Sequence, residues 1–500
     1  MSSRKHQSTI PSEKEKNAYY LFKDKEMRDI TSVSLPNKKF FIFLSLFLSF
    51  WFVIVLFFFR PQSSNSKEVL RPVCESLGNI SVYMYDLPPK FNLGLLQDCQ
   101  HLNVYTDMCP HVANRGLGQP LDPQMMKTMM RTTGSSITPI RSSWFATHQF
   151  IGEMIFHARM ENHPCRTMDP ERANLFYVPF YGGLHASSKF REPDHAARDA
   201  LALELAEIVG RQPWWQRHHG RDHFLALGRT AWDFMRTTSG PDFGANSLLN
   251  LPLVRNMSVL TVERHPWEGS KLNQYGIPYP SYFHPSTSDE MVEWQNNVGR
   301  IHRPHLFSFV GAPRKGVGKA AIRDDMIRQC AVSSRCKLLK CGQGASKCHE
   351  PTEVLKVMMR SQFCLQAPGD SFTRRSTFDS VLAGCIPVFF SEHTAYSQYT
   401  WYLPGDPTTY SVYMGGGDTD SANDGNARVD TDIEEELLKI PSDTVQIMRT
   451  TVIEMIPTLT YKNPNSSIDY GFPDSIDVAL AALMSRLRDV TTSELISQVN

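Results

Sequence analysis

The hydrophobic and polar positions of this chain predict strands and helices that alternate. Short apolar runs, each with the length of a buried strand, occur at residues 80–85, 175–181, 223–227, 258–263 and 305–310. Helical patterns lie between them, at residues 149–160, 196–209, 319–331 and 351–361. Because strands that alternate with helices form parallel sheets, we predict an α/β fold with two successive Rossmann-like domains and a central crevice.

Residues 363–390, FCLQAPGDSFTRRSTFDSVLAGCIPVFF, carry the clearest signal. They divide into a strand, a turn, a helix and a second strand, at residues 363–368, 369–371, 373–383 and 385–390. Gly384 is placed to end the helix, and the turn with Gly369 and Ser371 leads into its amino end. Since the first backbone N–H groups of a helix are unpaired and its dipole favours negative charge, we predict an anion site here.

The charged side chains of this helix agree with an anion site. Arg374 and Arg375 occupy the first turn, where positive charge does not help the helix itself, and we expect them to face a phosphate. Asp379 follows one turn later, where a carboxylate is placed to accept hydrogen bonds from a ribose. The alternative is an ordinary strand–helix–strand unit with an Arg375–Asp379 pair along the helix.

A long apolar segment predicts a membrane anchor. Residues 40–59 are twenty consecutive residues without a charge, which is the length of a helix that crosses a bilayer. The segment before it carries more Lys and Arg than the segment after it, so we expect residues 1–39 to be a cytoplasmic tail. The remaining predicted parts are a stem, a first Rossmann-like domain, a second Rossmann-like domain and a closing helical region, at residues 60–75, 76–285, 300–460 and 461–500.

Charge and cysteine usage narrow the class of protein. The chain has 52 Lys and Arg against 51 Asp and Glu, a balance that argues against a nucleic-acid-binding protein. All ten cysteines follow the apolar segment. An even number in the translocated part is typical of disulfides in an oxidising compartment, with the pairing left open. The Asn-x-Ser sequons at Asn79, Asn256 and Asn465 are predicted glycosylation sites.

Four polar residues of the first half are candidates for a general base. Parallel α/β sheets present ligand-binding residues at the carboxyl ends of their strands, and we expect His185, Asp222, His223 and Glu263 to lie there. A reaction that takes a proton from a hydroxyl needs one base near that oxygen, so one of the four is expected to serve. An ordinary structural role is the alternative for each, and His148 is a further candidate.

Two other segments were weighed as phosphate or metal sites. Residues 311–318 form a glycine-containing loop after a predicted strand but lack the Lys and Ser/Thr of a P-loop. With Arg314 the loop still suits a diphosphate, and a solvated turn is the alternative. The Asp-x-Asp pairs at 418–420 and 430–432 lie in a polar segment, and the cysteines at 330–348 lack C-x2-C spacing. We therefore expect no metal.

Eight segments in a fixed order resemble a known family. They are YMYDLPPKF (83–91), FATHQFIGEMIFHARM (145–160), ANLFYVPFYGGL (173–184), GRDHFLALGRTAWDF (220–234), GIPYPSYFHP (276–285), FSFVGAPRKG (307–316), CLQAPGDSFTRRSTFDSVLAGCIPVFF (364–390) and YSVYM (410–414). Together they are similar to the exostosin-like glycosyltransferase family, and more narrowly to its plant branch of xyloglucan galactosyltransferases. The resemblance spans nearly all of residues 76–490.

The resemblance implies a type II Golgi membrane protein with a GT-B fold and an inverting reaction that needs no metal or other cofactor. It implies a UDP-sugar donor, with UDP-galactose the commonest in this branch, and a xylose side chain of xyloglucan as acceptor in cell-wall synthesis. Other Golgi glycosyltransferases are further partners that it suggests. Carried onto this chain, Gly369, Ser371, Arg374 and Arg314 would lie by the diphosphate, and Asp379 by the ribose.

Some residues depart from the family pattern. Ala367–Pro368 stand where relatives often have Pro-Gln, and relatives often carry an acid at the place of His185 and serines at those of Arg264 and His265. The polar insertion at 415–432 is also unlike them. Transfer of galacturonic acid or arabinose therefore stays open, with Arg264 suited to a uronate carboxylate. A luminal subunit that binds glycan without catalysis stays open as well.

Overall fold

The structure is a computed structural model that describes residues 74–133, 143–237, 244–269, 271–314, 317–342, 347–415, 429, 431–465 and 471–499. These residues belong to one compact unit, Leu70–Asn500. The predicted tail, the predicted anchor at 40–59 and most of the predicted stem lie outside the described residues. Of the helices described, none combines the length and the apolar character that a membrane span needs.

The first half is built on a sheet of six parallel strands. They are β1 (Val82–Met84), β2 (Arg166–Thr167), β3 (Leu175–Tyr177), β4 (His223–Thr230), β5 (Ser258–Glu263) and β6 (Gln274–Gly276). Their order is β2-β1-β3-β4-β5-β6. Every residue of β5 is buried, as expected for a parallel sheet with both faces covered. The strand predicted at 258–263 therefore has the observed bounds, whereas the strand predicted at 175–181 ends at Tyr177.

Seven α-helices of the described residues accompany this sheet. They are α1 (Cys109–Val112), α2 (Pro123–Thr132), α3 (Gly152–Glu161), α4 (Gly182–Lys189), α5 (His195–Gly210), α6 (Pro213–His218) and α7 (Pro252–Asn256). Helix α5 begins at His195 because the Asp194 carboxylate accepts a hydrogen bond from the N–H of Ala196 at 2.9 Å. Helix α3 is buried from Gly152 through Met160, so its charged residues lie inside the protein.

The second half has its own sheet of five parallel strands. They are β7 (His305–Gly311), β8 (Cys336–Lys340), β9 (Ser361–Gln366), β10 (Ile386–Phe389) and β11 (Val412–Tyr413). Their order is β11-β10-β9-β7-β8. The chain therefore builds outward from β7 to β8 and then crosses back to place β9 on the other side of β7. The expected α/β fold with two parallel sheets is confirmed.

Seven further helices of the described residues belong to the second half of the chain. They are α8 (Ser288–Arg300), α9 (Ile322–Val332), α10 (Pro351–Met359), α11 (Arg375–Leu382), α12 (Ile433–Leu438), α13 (Ser442–Glu454) and α14 (Ser475–Val499). Helix α11 ends where predicted, because Gly384 adopts the left-handed backbone (φ 61°) that a glycine tolerates best.

The end of the chain returns to the first half. Asp474, just before α14, forms a buried ion pair with Arg159 of α3, with 3.0 Å between Oδ2 and Nε. Within α14 the guanidinium of Arg486 donates to Ser258 Oγ at 3.1 Å, at the start of β5. The last helix is thus anchored to the first sheet.

Five disulfides use all ten cysteines. They pair Cys74 with Cys165, Cys99 with Cys109, Cys330 with Cys336, Cys341 with Cys348 and Cys364 with Cys385. The expected disulfides are observed, and the four cysteines at 330–348 form two of these pairs. The Cys364–Cys385 bond joins β9 to the residue before β10. The loop that was predicted to bind an anion lies between these two cysteines in the chain.

Candidate functional site

The site lies at the carboxyl edge of the second sheet, between β7 and β9. The loops after these two strands leave from neighbouring positions, because the chain reverses its direction of sheet building there. Ligands of open parallel sheets bind in the crevice at such a switch point. Arg314 lies in the loop after β7, and residues 367–374 form the loop after β9.

Arg374 occupies the centre of this point. Its backbone is extended (φ −146°, ψ 141°) at the position just before α11, and its guanidinium folds back against Gly369. The buried Nε and Nη2 atoms of Arg374 have no hydrogen-bond partner among the described residues. Leaving donors of a buried cation unsatisfied is costly, so an anionic ligand is the natural occupant. Burial lowers the pKa of Arg374, while Tyr279 and Asp370 oppose that shift.

Two more arginines flank Arg374. Arg314 forms an exposed ion pair with Asp370, which links the loop after β7 to the loop after β9. Arg323, in the first turn of α9, donates to the carbonyl of Ala312 at 3.0 Å. Its pKa is lowered to about 10 by burial and by the positive charges of Arg374 and Arg314. Sequence reasoning missed Arg323, because nothing in the helix pattern distinguishes it from a surface arginine.

Arg375 contacts the first half of the chain, and the expectation that it faces a phosphate stays a prediction. Its Nη1 donates to the carbonyl of Thr147 at 3.0 Å, and its Nε donates to Asp379 Oδ2 at 3.2 Å. Asp379 is buried, and its Oδ1 accepts a hydrogen bond from Ser281 Oγ at 2.5 Å. Burial raises the pKa of Asp379, opposed first by the charge of Arg375. The pair along the helix is thus observed, and the ribose contact stays a prediction.

Glu263 joins the two halves next to Arg374. It is the last residue of β5 and is fully buried. Its Oε2 accepts hydrogen bonds from both the backbone N–H and the hydroxyl of Thr373, at 2.7 and 2.6 Å. The Thr373 hydroxyl also lies 3.0 Å from the hydroxyl of Tyr279. Glu263 therefore meets the loop after β9 at the residue that precedes Arg374.

Asp222 and His223 were expected at the carboxyl end of a strand, and that placement was wrong. The strand begins at His223 and continues to Thr230, so the pair precedes it at the amino edge. Because Thr230 is the residue that pairs with Glu263, the pair lies at the opposite edge from Glu263. His223 Nδ1 contacts Asp222 Oδ1 at 2.8 Å, and its Nε2 contacts the Tyr85 hydroxyl at 2.7 Å.

His185 lies on α4 rather than at a strand end. It is buried, and burial lowers its pKa to about 4. The first turn of α4 is held by Glu153 of α3, whose carboxylate accepts hydrogen bonds from the N–H groups of Gly183 and Leu184, each at 2.8 Å, and of Gly228 at 3.0 Å. Burial raises the pKa of Glu153 to about 7. Sequence reasoning missed this buried carboxylate, which holds the segment that carries His185.

A cavity of about 490 Å³ opens beside Arg375 between the two halves. His111, His148 and Tyr282 line it from the first half, and His349 lines it from the second. The rings of His111 and His148 lie 5.0 Å apart. Burial lowers the pKa of His148 to about 3, helped by the charges of His111 and Arg375. His148, the additional candidate base, thus faces the crevice.

The remaining predicted residues lie on the surface or near the site. Ser371 is half-buried, and its carbonyl accepts a hydrogen bond from the Gly369 N–H at 2.9 Å. The sequon asparagines are all exposed, at Asn79, Asn256 and Asn465, and their glycosylation stays a prediction.

Of the Asp-x-Asp residues, Asp432 caps α12 by accepting from the N–H of Glu435 at 3.0 Å. The other three aspartates of the two pairs lie outside the described residues.

Two parallel sheets with a cluster of arginines at a switch point are the arrangement of an α/β protein that binds an anionic ligand. The family described as Exostosin GT47 domain matches residues 76–422. The chain belongs to this family, as its motifs indicated.

Curated relatives from Arabidopsis thaliana match most of the chain. "Probable xyloglucan galactosyltransferase GT17" is 56% identical over 477 residues, which cover 95% of this chain and 95% of the relative. "Xyloglucan galactosyltransferase MUR3" is 42% identical over 410 residues, which cover 82% of this chain and 62% of the relative. "Xyloglucan-specific galacturonosyltransferase 1" is 36% identical over 417 residues, which cover 83% and 58%.

Proposed function

We propose that the protein is an inverting glycosyltransferase of the GT-B type that transfers galactose from UDP-galactose to xylose side chains of xyloglucan. The observation that carries the proposal is the buried guanidinium of Arg374, which lacks partners for Nε and Nη2 among the described residues. A diphosphate supplies the acceptor atoms that this group needs. The donor sugar and the acceptor polymer are taken from the names of the relatives with the highest identities.

The donor diphosphate binds at the switch point of the second sheet in this proposal. Arg374 forms charge-assisted hydrogen bonds with the oxygens of the diphosphate. Arg314 adds positive charge from the loop after β7, and Arg323 adds it from α9. The amino end of α11 faces the same place and favours negative charge. These groups stabilise the charge that grows on the diphosphate as it leaves, and that is where electrostatic stabilisation accelerates the reaction.

The transfer is a single displacement. The acceptor hydroxyl gives its proton to a base, and its oxygen attacks the anomeric carbon of the donor sugar. The bond between that carbon and the diphosphate oxygen breaks, and its electron pair leaves with UDP. Among the four predicted bases, Glu263 is the one that touches the loop carrying Arg374, and we assign the base to Glu263. A closed crevice around these residues keeps water from hydrolysing the donor.

The location of the protein is proposed from the apolar segment of the sequence, with support from the structure. Residues 40–59 would anchor it in the Golgi membrane with the folded part in the lumen. Five disulfides and three exposed sequon asparagines suit that compartment. Other Golgi glycosyltransferases are proposed neighbours there.

A galacturonosyltransferase is the second candidate, because one relative carries that name. The observation that bears on it is Arg264, the residue weighed for a uronate carboxylate. Its Nε donates to the carbonyl of Ser397 at 2.6 Å, and its backbone N–H donates to Gln398 Oε1 at 2.9 Å. These contacts commit part of Arg264 to joining the two halves, and they favour the neutral sugar.

The test is transfer with three donors in parallel. Residues 70–500, which form one compact unit, are incubated with xylosylated xyloglucan oligosaccharides and UDP-galactose, UDP-galacturonate or UDP-arabinofuranose, with EDTA present. A product with the mass of one added hexose, formed from UDP-galactose alone, is the expected result. Product from another donor replaces the sugar in the proposal, and loss of product only in EDTA shows that a metal is required. UDP binding without product from any donor contradicts the enzyme and favours a non-catalytic subunit.

A further inference from the structure

A cluster of aromatic side chains joins the two halves of the chain. We define the aromatic platform as Trp232, His265, Trp267, Phe372 and His393. Ring centroids are 4.7 Å apart for Trp232 and His265, and 5.7 Å apart for His265 and Trp267. Trp267 lies 6.1 Å from Phe372 and 5.5 Å from His393. The platform contains residues of both halves, so it spans the joint between them.

Trp267 is the exposed member of the aromatic platform. It leaves 49% of its surface to solvent, whereas Phe372 and His393 are buried at 3% and 9%. Among the described residues it is the one exposed tryptophan. The rings of its three neighbours in the platform stand at 70° to 86° to the indole. None of the three therefore stacks face to face on Trp267.

The turn that carries Trp267 is fixed by hydrogen bonds. The N–H of His265 donates to Gln274 Oε1 at 2.9 Å, and His265 Nδ1 accepts from the N–H of Glu268 at 3.1 Å. The N–H of Gly269 closes the turn on the carbonyl of His265 at 3.0 Å. An aromatic side chain held in one place loses little further freedom when a ligand stacks on it.

The platform adjoins the reacting groups of the proposed function. His265 and Trp267 follow Glu263 within four residues of the chain, and Phe372 directly precedes Thr373, which Glu263 binds. Trp267 is therefore linked to the proposed base through neighbouring residues of both segments, and it belongs to the first half. The donor phosphates belong to the switch point of the second half, so the ligand that fits here is the acceptor.

We propose that Trp267 binds a sugar ring of the acceptor glycan by stacking, and that it contributes to the specificity of the enzyme for a polysaccharide acceptor. This inference rests on the proposed function, because it takes the acceptor to be a glycan. One face of a pyranose ring presents C–H groups, while its hydroxyls point outward. Packing that face on the indole removes apolar surface from water and leaves the hydroxyls hydrated.

Measurement of ligand binding tests the role of the aromatic platform independently of sugar transfer. Trp267→Ala, Trp267→Phe and the parent, each as residues 70–500, are titrated calorimetrically with a xylosylated xyloglucan oligosaccharide and, separately, with UDP. We expect Trp267→Ala to weaken oligosaccharide binding about tenfold or more, with Trp267→Phe between it and the parent. The affinity for UDP is expected to stay unchanged. Trp214→Phe is the matched control, because Trp214 stacks on Phe176 of β3, away from the crevice.

Each outcome decides the proposal. Equal oligosaccharide affinity in Trp267→Ala and the parent overturns it, and so does a loss of UDP affinity with unchanged oligosaccharide binding, which would place the nucleobase on Trp267. Oligosaccharide binding that depends on Trp267 in a protein that transfers no sugar supports the platform and contradicts the proposed function. Sugar transfer by Trp267→Ala with the acceptor KM of the parent supports the proposed function and contradicts the role of the platform.

Discussion

The guanidinium of Arg374 occupies the space in which any residue other than glycine at position 369 would carry its side chain. Arg374 Nη2 lies 1.2 Å from the position that a Cβ on Gly369 would take. The glycine of this loop is thus explained by the arginine five residues later, which needs the room to reach the switch point between β7 and β9.

Gly369→Ala is expected to weaken UDP binding about tenfold or more, because the new methyl group displaces the guanidinium and its charge-assisted hydrogen bonds. The melting temperature should change little, since the displaced group is the end of a flexible side chain. Binding is measured by titration calorimetry. Gly405→Ala is the control, because no atom lies within 4 Å of a Cβ at that position. Equal affinities for UDP in Gly369→Ala and the parent would contradict the role of Arg374.

Arg374→Ala is expected to lower kcat, because the charge on the leaving diphosphate loses its main partner and the activation barrier rises by about 2–4 kcal/mol. Steady-state rates of sugar transfer measure this change. Arg328→Ala is the matched control, since Arg328 pairs with Asp325 on the exposed side of α9. A folded Arg374→Ala protein with the turnover of the parent would remove Arg374 from the mechanism.

Glu263→Gln separates a catalytic role from a positioning role. Glutamine keeps an oxygen that accepts the hydrogen bonds of Thr373 but does not take a proton, so kcat is expected to fall about 10²–10⁴-fold. UDP affinity and melting temperature should stay close to those of the parent. If UDP affinity falls while kcat is retained, Glu263 only positions the loop that carries Arg374, and the base lies elsewhere.

Stability should fall in mild acid, because buried histidines are held neutral. Burial lowers the pKa of both His284 and His157 to about 4, from an ordinary value of 6.5. Between these values the unfolded chain binds protons that the folded chain does not. The stability is therefore complete above pH 6.5 and is lost as the pH falls towards 4. Each histidine adds a slope of about 1.4 kcal/mol per pH unit.

Urea unfolding at several values between about pH 7 and pH 5 measures this slope. His157→Gln should make the pH dependence shallower than that of the parent. A parent protein whose free energy of unfolding is constant over this range would contradict the neutral buried histidines.

Removal of different disulfides should have graded effects. Cys74 and Cys165 are 91 residues apart, whereas Cys330 and Cys336 are 6 apart. Loop-closure entropy predicts a loss of about 4–5 kcal/mol for the first bond and about 2 kcal/mol for the second. Urea unfolding of the two double Cys→Ser variants measures the difference. The same loss in both variants would show that chain entropy does not set the contribution of these bonds.

Local patterns predicted the elements that local interactions determine. The strand at 258–263 has its predicted bounds because β5 is an uninterrupted buried run. Helix α11 ends before Gly384 because that glycine takes a left-handed backbone. The anion site predicted for the loop between β9 and α11, from the helix amino end, the glycine and the arginines, stays a prediction. These signals lie within a few residues of the feature that they predict.

Contacts between distant residues could not be predicted in this way. Asp379 meets Ser281, 98 residues away, and Glu263 meets Thr373, 110 residues away. The edge of the sheet at which His223 lies depends on where β4 begins and ends. The strand runs from His223 to Thr230, so His223 is its first residue. Arg323 joins the arginine cluster only because α9 packs beside the loop after β7. The periodicity of the sequence does not indicate which distant residues come into contact.

The anchoring of α14 on the first sheet has a consequence for biosynthesis. Ribosomes deliver the chain from its amino end, yet the ion pair between Arg159 and Asp474 joins residues that are 315 positions apart in the chain. The first half therefore lacks this ion-pair partner until the whole second sheet has been translated. A stop codon at the start of α14 would remove Arg486 and its hydrogen bond to Ser258, so a chain that contains every strand of both sheets would still lack this contact with β5.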